Sequence, residues 1–506
     1  MLLKSRAALL AGVCCLAVTG SASAETLTEA LTMAYQTNPQ LQARRAQLRS
    51  LDENYVQARA GYRPTADFQT SVGLLNFAAR RPSPGPDNPD SQFLDTTASV
   101  TGAIDQPLYS GGRVTNAVRE VEASILSGRE QLRALENDLF QAVIQAYVDV
   151  RRDEQSLEIR RNNVDVLRRQ LEETRARFEV GEITRTDVAQ AEARLASSQA
   201  TLSLQQAQLA TSRANYAAVV GQSPGTLAPE PVLTAIPPNV AQAYEIAQTN
   251  SPDLLAAELN EQASRARVAR ERAATRPTVS LGGRSTLQRD ANDFNLDQYQ
   301  NSTTVGTVLN LPLYRGGATT SRIRAARETN NSDRINIETT RRSVVQAVNQ
   351  SWNSLQAQRA SLLSNEEQVR AARIAFEGVQ AEAQAGLRTT LDVLNAQAEL
   401  REAELAQVRA RRDAYVAGAS LLNAMGLLEA RQLTPGVELY DPASAFERIR
   451  RSHQLPWEPI IEGLDSIGAP QIEQRPPLPP ATVAAKTEMQ TTASLDAVVD
   501  ASLKRP

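Results

Sequence analysis

The sequence predicts a mixed α/β fold with an internal two-fold repeat, in which long coiled-coil helical hairpins are joined to short amphipathic strands. Three observations carry that expectation. First, Arg113 to Val180 contains no proline and one glycine, Gly128, while apolar residues recur in steps of three and four, as in Val164, Leu167, Leu171, Thr174 and Phe178. A helix of that length reaches about 100 Å at about 1.5 Å per residue, deeper than any ordinary globular core. Second, the unit returns at a constant offset of 205 residues. Pro107-Leu-Tyr109 and Gly111-Gly112 recur as Pro312-Leu-Tyr314 and Gly316-Gly317, Gly181 as Gly386, and Asp187 as Asp392. Third, after Arg63-Pro64 and again after Arg276-Pro277 the hydrophobic period changes from 3.6 to 2.

Taken in order, residues 1–24 read as a secretory signal: Lys4 and Arg6, an apolar run from Ala7 to Val18, then Ala22-Ser23-Ala24 before Glu25. Cys14 and Cys15 leave with it, so the mature chain has neither disulfides nor cysteine chemistry. It also holds no run of about 18 apolar residues, so any entry into a membrane must be made by strands. Aromatic residues at 4% and charged residues at 22% suit narrow helix seams, and a net charge of -3 gives no sign of nucleic-acid binding.

Residues 25–234 form the first expected repeat and 235–441 the second. Each starts with a short helix and then a longer one opened by proline, at Pro39 and at Pro252, where a fixed φ and a missing N–H cost nothing. Strands follow at 65–76 and 96–106, then at 278–288 and 302–311. Ala66, Phe68, Thr70 and Val72 alternate with Asp67, Gln69 and Ser71, and Ala98, Val100, Gly102 and Ile104 alternate with Ser99, Thr101 and Asp105. Segments of about ten residues with one apolar face match membrane-barrel strands, and a soluble sandwich nearly as well. Phe68, Phe77 and Phe294 read as lipid-facing or barrel-packing. The connector Ala79 to Asp95 is rich in turn residues, and helical hairpins occupy 113–220 and 318–426, turning at Gly181 and Gly386. Residues 442–506 are proline-rich and read as an extended or disordered tail.

Four strands cannot close a barrel, and an open edge in lipid leaves N–H and C=O groups unpaired at several kcal/mol each. Bacterial barrels have at least eight strands, so two or more copies are needed and three would give twelve. Pro107 to Tyr109 and Pro312 to Tyr314 then mark where strands leave the membrane, with tyrosine suited to an interface. The pairs Gly111-Gly112 and Gly316-Gly317 allow the turn from strand into helix. They are not a phosphate loop, because no Lys-Ser/Thr follows. His453 is the only histidine and lacks a ligand partner. No nucleophile elbow, catalytic carboxylate pair or metal cluster stands out, so no catalytic residue, cofactor or metal is expected.

As a set, the signal segment, the duplicated halves, Asn38-Pro39, Arg63-Pro64, the Pro-Leu-Tyr-x-Gly-Gly pairs and Gly386-Leu-Arg-Thr-Thr-Leu-Asp-Val-Leu394 resemble the TolC-like outer-membrane export channels. The resemblance covers about Glu25 to Leu433. It implies a homotrimeric α-β barrel: a twelve-stranded barrel in the outer membrane, four strands per chain, continuing into a twelve-helix coiled-coil tunnel in the periplasm. It further implies docking on a periplasmic adaptor and an inner-membrane transporter of ABC or RND type, exporting protein or small toxic molecules. Residues at the periplasmic aperture would be Asp187, Arg388 and Asp392, with Asn395 where relatives carry a second acidic ring and Ala383 where they carry a tyrosine. An Asp187 to Arg388 link between copies would help hold the aperture shut, and Arg388→Ala would raise conductance. Asp187 and Asp392 equally suit plain helix capping. The competing reading is a soluble periplasmic scaffold or adaptor, which fractionation would reveal.

Overall fold

The computed structural model describes residues 24–79, 91–233, 235–290, 300–433, 439–452, 454–467 and 469. The signal segment before Ala24, Phe294, His453, the side chain of Phe77 and everything from 470 onward lie outside the described residues.

Helix α1 (Leu27–Thr37) begins in a capping box, with Thr26 Oγ1 accepting from Glu29 N at 3.2 Å and Glu29 Oε2 from Thr26 N at 2.8 Å. Helix α2 (Pro39–Arg59) is capped by Asn38, whose Oδ1 accepts from Gln40 N and Leu41 N. Strands β1 (Thr65–Ala79) and β2 (Ser91–Tyr109) follow, then the hairpin of α3 (Arg113–Glu179) and α4 (Arg185–Val220). The second repeat has α5 (Val240–Asn250), α6 (Pro252–Ala273), β3 (Thr278–Asp290), β4 (Gln300–Asn310), α7 (Ala318–Gln384) and α8 (Thr390–Ala424). Helices α9 (Ala430–Leu433), α10 (Pro442–Arg451) and α11 (Glu458–Ser466) end the described chain.

The strands form one antiparallel sheet in the order β1-β2-β3-β4, so β2 and β3 join the two repeats and β1 and β4 are its edges. Pairing carries β1 and β2 beyond their alternating cores, since Leu75 to Ala79 pair with Asp95 to Ser91, inside the segment expected to be connector. At the other end β2 continues through Pro107 to Tyr109, the ladder absorbing the proline at an irregularity between those two residues.

Among the long helices, α3 packs between α4 and α8, and α8 between α3 and α7. The protomer therefore ends in helices α4 and α7, as its sheet ends in β1 and β4. Helix α7 is the barer of the two long arms: Ile335, Leu363 and Ile374 stand 69%, 65% and 64% exposed. The main core lies where α1, α3, α4 and α8 meet, around Tyr35, Phe140, Tyr147, Tyr216, Leu421 and Met425. Tyr147 donates its hydroxyl to Ala228 O at 2.7 Å and Tyr216 to Glu25 Oε1 at 2.6 Å, so the polar tips of the buried rings are satisfied.

The expectation of an extended tail from 442 is corrected over its first part. The prolines that suggested disorder sit at helix starts, Pro442 at the first position of α10 and Pro459 in the first turn of α11, where proline is favoured. Asp441 caps α10 by accepting from Ala443 N at 2.9 Å. Ile461 is buried in a cluster with Tyr55, Tyr62, Val114, Val118 and Ile125, so α11 completes a second core over α2 and the start of α3.

Candidate functional site

The register gives the sheet two chemically different faces. Across it, Val72, Ala98 and Arg289 form one row, and Thr70, Val100, Leu287 and Asn301 another; Ala66, Ile104, Gly283 and Val305 form a third. On this largely apolar face Val72 is 78% and Val305 74% exposed, and Phe68 and Ile104 also lie open. Ser285 and Thr303, which share it, bond each other at 3.0 Å. The opposite face carries Asp67, Gln69, Ser71, Thr101, Asp105, Arg284 and Thr286, with hydroxyl pairs Ser71 to Ser99 at 2.8 Å and Thr101 to Thr286 at 3.1 Å. One face suits lipid and the other water.

The two strand-to-helix junctions have matching sequences and different surroundings. In the first, Gly111 and Gly112 adopt φ of 72° and 84°, and Gly112 is the N-cap of α3. The buried donors of that helix start, which have no partner within the helix, converge on Asp465 of α11. Its Oδ1 accepts from Ser110 N and Oγ at 2.7 Å each and from Gly112 N at 3.0 Å, and its Oδ2 from Thr115 N at 3.1 Å and Oγ1 at 2.9 Å. Burial by itself raises the carboxyl's pKa, but the hydrogen bonds from Ser110, Gly112 and Thr115 outweigh it and hold the group below the usual range. Glu458 anchors the same helix, accepting from buried Arg59 at 2.8 Å and from Arg63 at 3.4 Å. Nothing in the local sequence announces a cap supplied from some 350 residues away.

Among the described residues the second junction has no such cover: Gly317 (φ 82°) caps α7 without a side-chain partner, nothing stands within 4 Å of where a Cβ on Gly316 or Gly317 would go, and Leu313 and Tyr314 are 88% and 86% exposed. Pro107 and Tyr109 are half-buried, and so is Pro312. The contrast gives a measurable difference. A Cβ at Gly111 would lie 2.8 Å from Arg276 Cβ and 3.2 Å from Ala273 O, whereas one at Gly316 meets open space. Both carry the left-handed penalty of about 1–2 kcal/mol. Gly111→Ala should therefore lower the thermal unfolding midpoint clearly more than Gly316→Ala; equal shifts would count against the crowding.

At the hairpin tips, Gly181 and Gly386 both take φ 80°. Each return helix then opens on a capping box: Asp187 Oδ2 accepts from Thr184 N at 2.9 Å, and Asp392 Oδ2 from Thr389 N at 3.1 Å. Bonds from Thr184 and Thr389 lower the pKa of both carboxyls. Arg388 pairs with Glu382 of its own hairpin at 2.7 Å, which occupies it inside the protomer. Asn395 accepts from Arg194 Nη2 at 3.0 Å, tying hairpin to hairpin, and Gln397 to Asn163 at 3.2 Å makes a second tie. Sequence reasoning missed Arg194, Asn163 and Gln397, which are unremarkable until the hairpins are set side by side. Leu387 and Val180 stand exposed at the tips.

With this geometry in place, comparison with known proteins is informative. A family model described as outer membrane efflux protein matches residues 30–222 and 243–427, one stretch in each repeat. The chain is 36% identical over 450 residues to outer membrane efflux protein BepC of Brucella suis, spanning 88% of this chain and 95% of that one. It is 27% identical over 418 residues to the outer membrane protein TolC of Vibrio cholerae, spanning 81% and 92%. The solved structure of the CmeC outer membrane channel of Campylobacter jejuni superposes with a TM-score of 0.70 at 13% identity, covering 85% of this chain and 90% of that one, a likeness of fold.

Proposed function

The chain belongs to the outer membrane efflux protein family, and from that premise we propose that three copies close one continuous duct, β4 of each pairing with β1 of the next and α7 packing beside the neighbour's α4. The protein resides in the outer membrane with its helices in the periplasm, and it is the passive exit duct of an export machine for protein or small molecules. Its partners are an inner-membrane transporter, ABC or RND in type, and a periplasmic adaptor.

One observation supports the ring most directly: a four-stranded sheet with an exposed apolar face is left with two bare edges, β1 and β4. Lipid does not tolerate such edges. Twelve strands from three copies remove them and put the polar face inward. Electron microscopy of the detergent-purified particle should show a threefold axis. A monomer recovered from the soluble periplasmic fraction would favour the scaffold reading and end this one.

The hairpin tips, with Asp187, Arg388, Asp392 and Asn395, form the periplasmic aperture in this reading. Since Arg388 is engaged by Glu382 within its hairpin, the restraint on opening is assigned to Arg194 and Asn395. Each such exposed contact contributes at most about 1 kcal/mol, so its threefold repetition is what matters. Arg194→Ala should raise single-channel conductance in planar bilayers while Arg388→Ala changes it less. The reverse order would restore Arg388 as the latch.

A further inference from the structure

A cavity of about 380 Å³ lies where α3, the start of α6, α7 and α8 meet, away from the sheet faces, the junctions and the tips. Among the described residues two carboxylates, Asp138 and Asp253, line it, and no lysine, arginine or histidine does. Asn423 donates to Asp138 Oδ1 at 3.1 Å and also bonds Gln141, whose own Nε2 donates to Ser420 at 3.0 Å, so the polar wall is held in order. Arg133, a cation of α3 four residues before Asn137, is spent on Glu130, Glu429 and Asn250 O.

Asn137 is the second observation. It is 1% exposed, it lines the cavity, and neither its Oδ1 nor its Nδ2 has a hydrogen-bond partner among the described residues. Ala134, Asn137, Asp138 and Gln141 line the cavity together, the three-and-four spacing of a single helix face, so the amide side chain is directed there. A buried amide without partners is destabilising unless something fills the space beside it. What fills it must satisfy an amide and offset two negative charges.

We propose that this cavity binds a divalent cation of the calcium or magnesium kind, with Asp138 and Asp253 supplying charge and the Asn137 amide oxygen a neutral donor. Every polar side chain available to a cation here offers oxygen, which hard cations prefer, and none offers the nitrogen or sulfur that zinc or copper seeks. Two carboxylates do not complete a coordination sphere, so retained water does, and the volume leaves room for it. The bound ion would tie the start of α6 to α3, fastening the second repeat to the first.

The test uses the full chain, purified in detergent and stripped with chelator. Equilibrium dialysis against radioactive calcium at physiological ionic strength should give one saturable site per chain, with unlabelled magnesium as competitor. Asp253→Asn and Asp138→Asn should each weaken binding at least tenfold, and Asn137→Leu severalfold. Thermal unfolding is read in parallel: calcium should raise the midpoint of the wild type and not that of Asp253→Asn, while the metal-free midpoints stay close. Removing one of two repelling charges should not unfold the protein, and if Asp253→Asn fails to fold, Asn137→Leu decides. Binding that does not saturate, or that all three substitutions leave unchanged, would overturn the proposal in favour of a water-filled cavity.

Discussion

Val72→Arg should abolish outer-membrane assembly, whereas Ser71→Arg, one residue earlier, should assemble and conduct. Val72 stands 78% exposed on the apolar face near the middle of β1, whereas Arg289 of the same row lies one residue from the end of β3, and Ser71 lies on the polar face opposite Ser99. An arginine on the lipid side of a barrel costs about 2–4 kcal/mol at the midplane, or about 6–12 kcal/mol over three copies. That is comparable with the whole stability of a typical domain. On the lumen side the same charge instead adds a positive ring, expected to shift selectivity toward anions. Fractionation and planar-bilayer recording read both outcomes. If Val72→Arg reached the outer membrane at wild-type levels, the face assignment would be wrong, and with it the placement of the sheet in lipid.

Asp465→Ala is the second large effect. The carboxylate is 1% exposed and accepts from Ser110, Gly112 and Thr115, so its loss leaves buried donors at the start of α3 without an acceptor. Each buried donor left without an acceptor costs about 1–3 kcal/mol. In a chain this long, at most about 2–4 °C of unfolding midpoint is lost per kcal/mol, so a drop of several degrees is expected. Asp465→Asn, which keeps one acceptor, should fall between. Because the folded carboxyl's pKa is depressed, its contribution is present above the unfolded value of about 3.9 and is lost as pH falls through the lower folded value. The difference between wild type and Asp465→Ala should therefore shrink in strong acid. A midpoint unmoved by the substitution at pH 7 would mean that α11 does not cap α3.

What could be read from the chain, and what could not, divides by the range of the interactions. Long helices declare themselves through periodicity over many turns, and the strands through alternation, so the hairpins and the two faces of the sheet were legible residue by residue. The boxes at Thr184 and Thr389 are three-residue signals and equally legible. Contacts closed by the tertiary fold were not: Arg194 meets Asn395, and Thr115 meets Asp465, only once distant segments are brought together. The strand ends were underestimated because pairing with a partner, not alternation, carries β1 on through Phe77 to Ala79 against Phe93 to Ser91. The helices after Pro442 were missed because proline was counted as a breaker without asking which turn it occupied. Asp441-Pro442, an N-cap followed by a favoured first residue, was the available clue.

The unequal junctions have a consequence for how the duct counts. In the proposed ring of three copies, two repeats of the same plan would present six like corners below the sheet, but α11 covers the corner at Gly111-Gly112 and, among the described residues, nothing covers that at Gly316-Gly317. The sixfold likeness written in the sequence is thus broken to threefold at that height. It persists at the far tips, where both hairpins turn through the same glycine geometry and the same Thr-x-x-Asp box. A protein gripping the ring beside the membrane would find three seats, and one meeting the tips could find six.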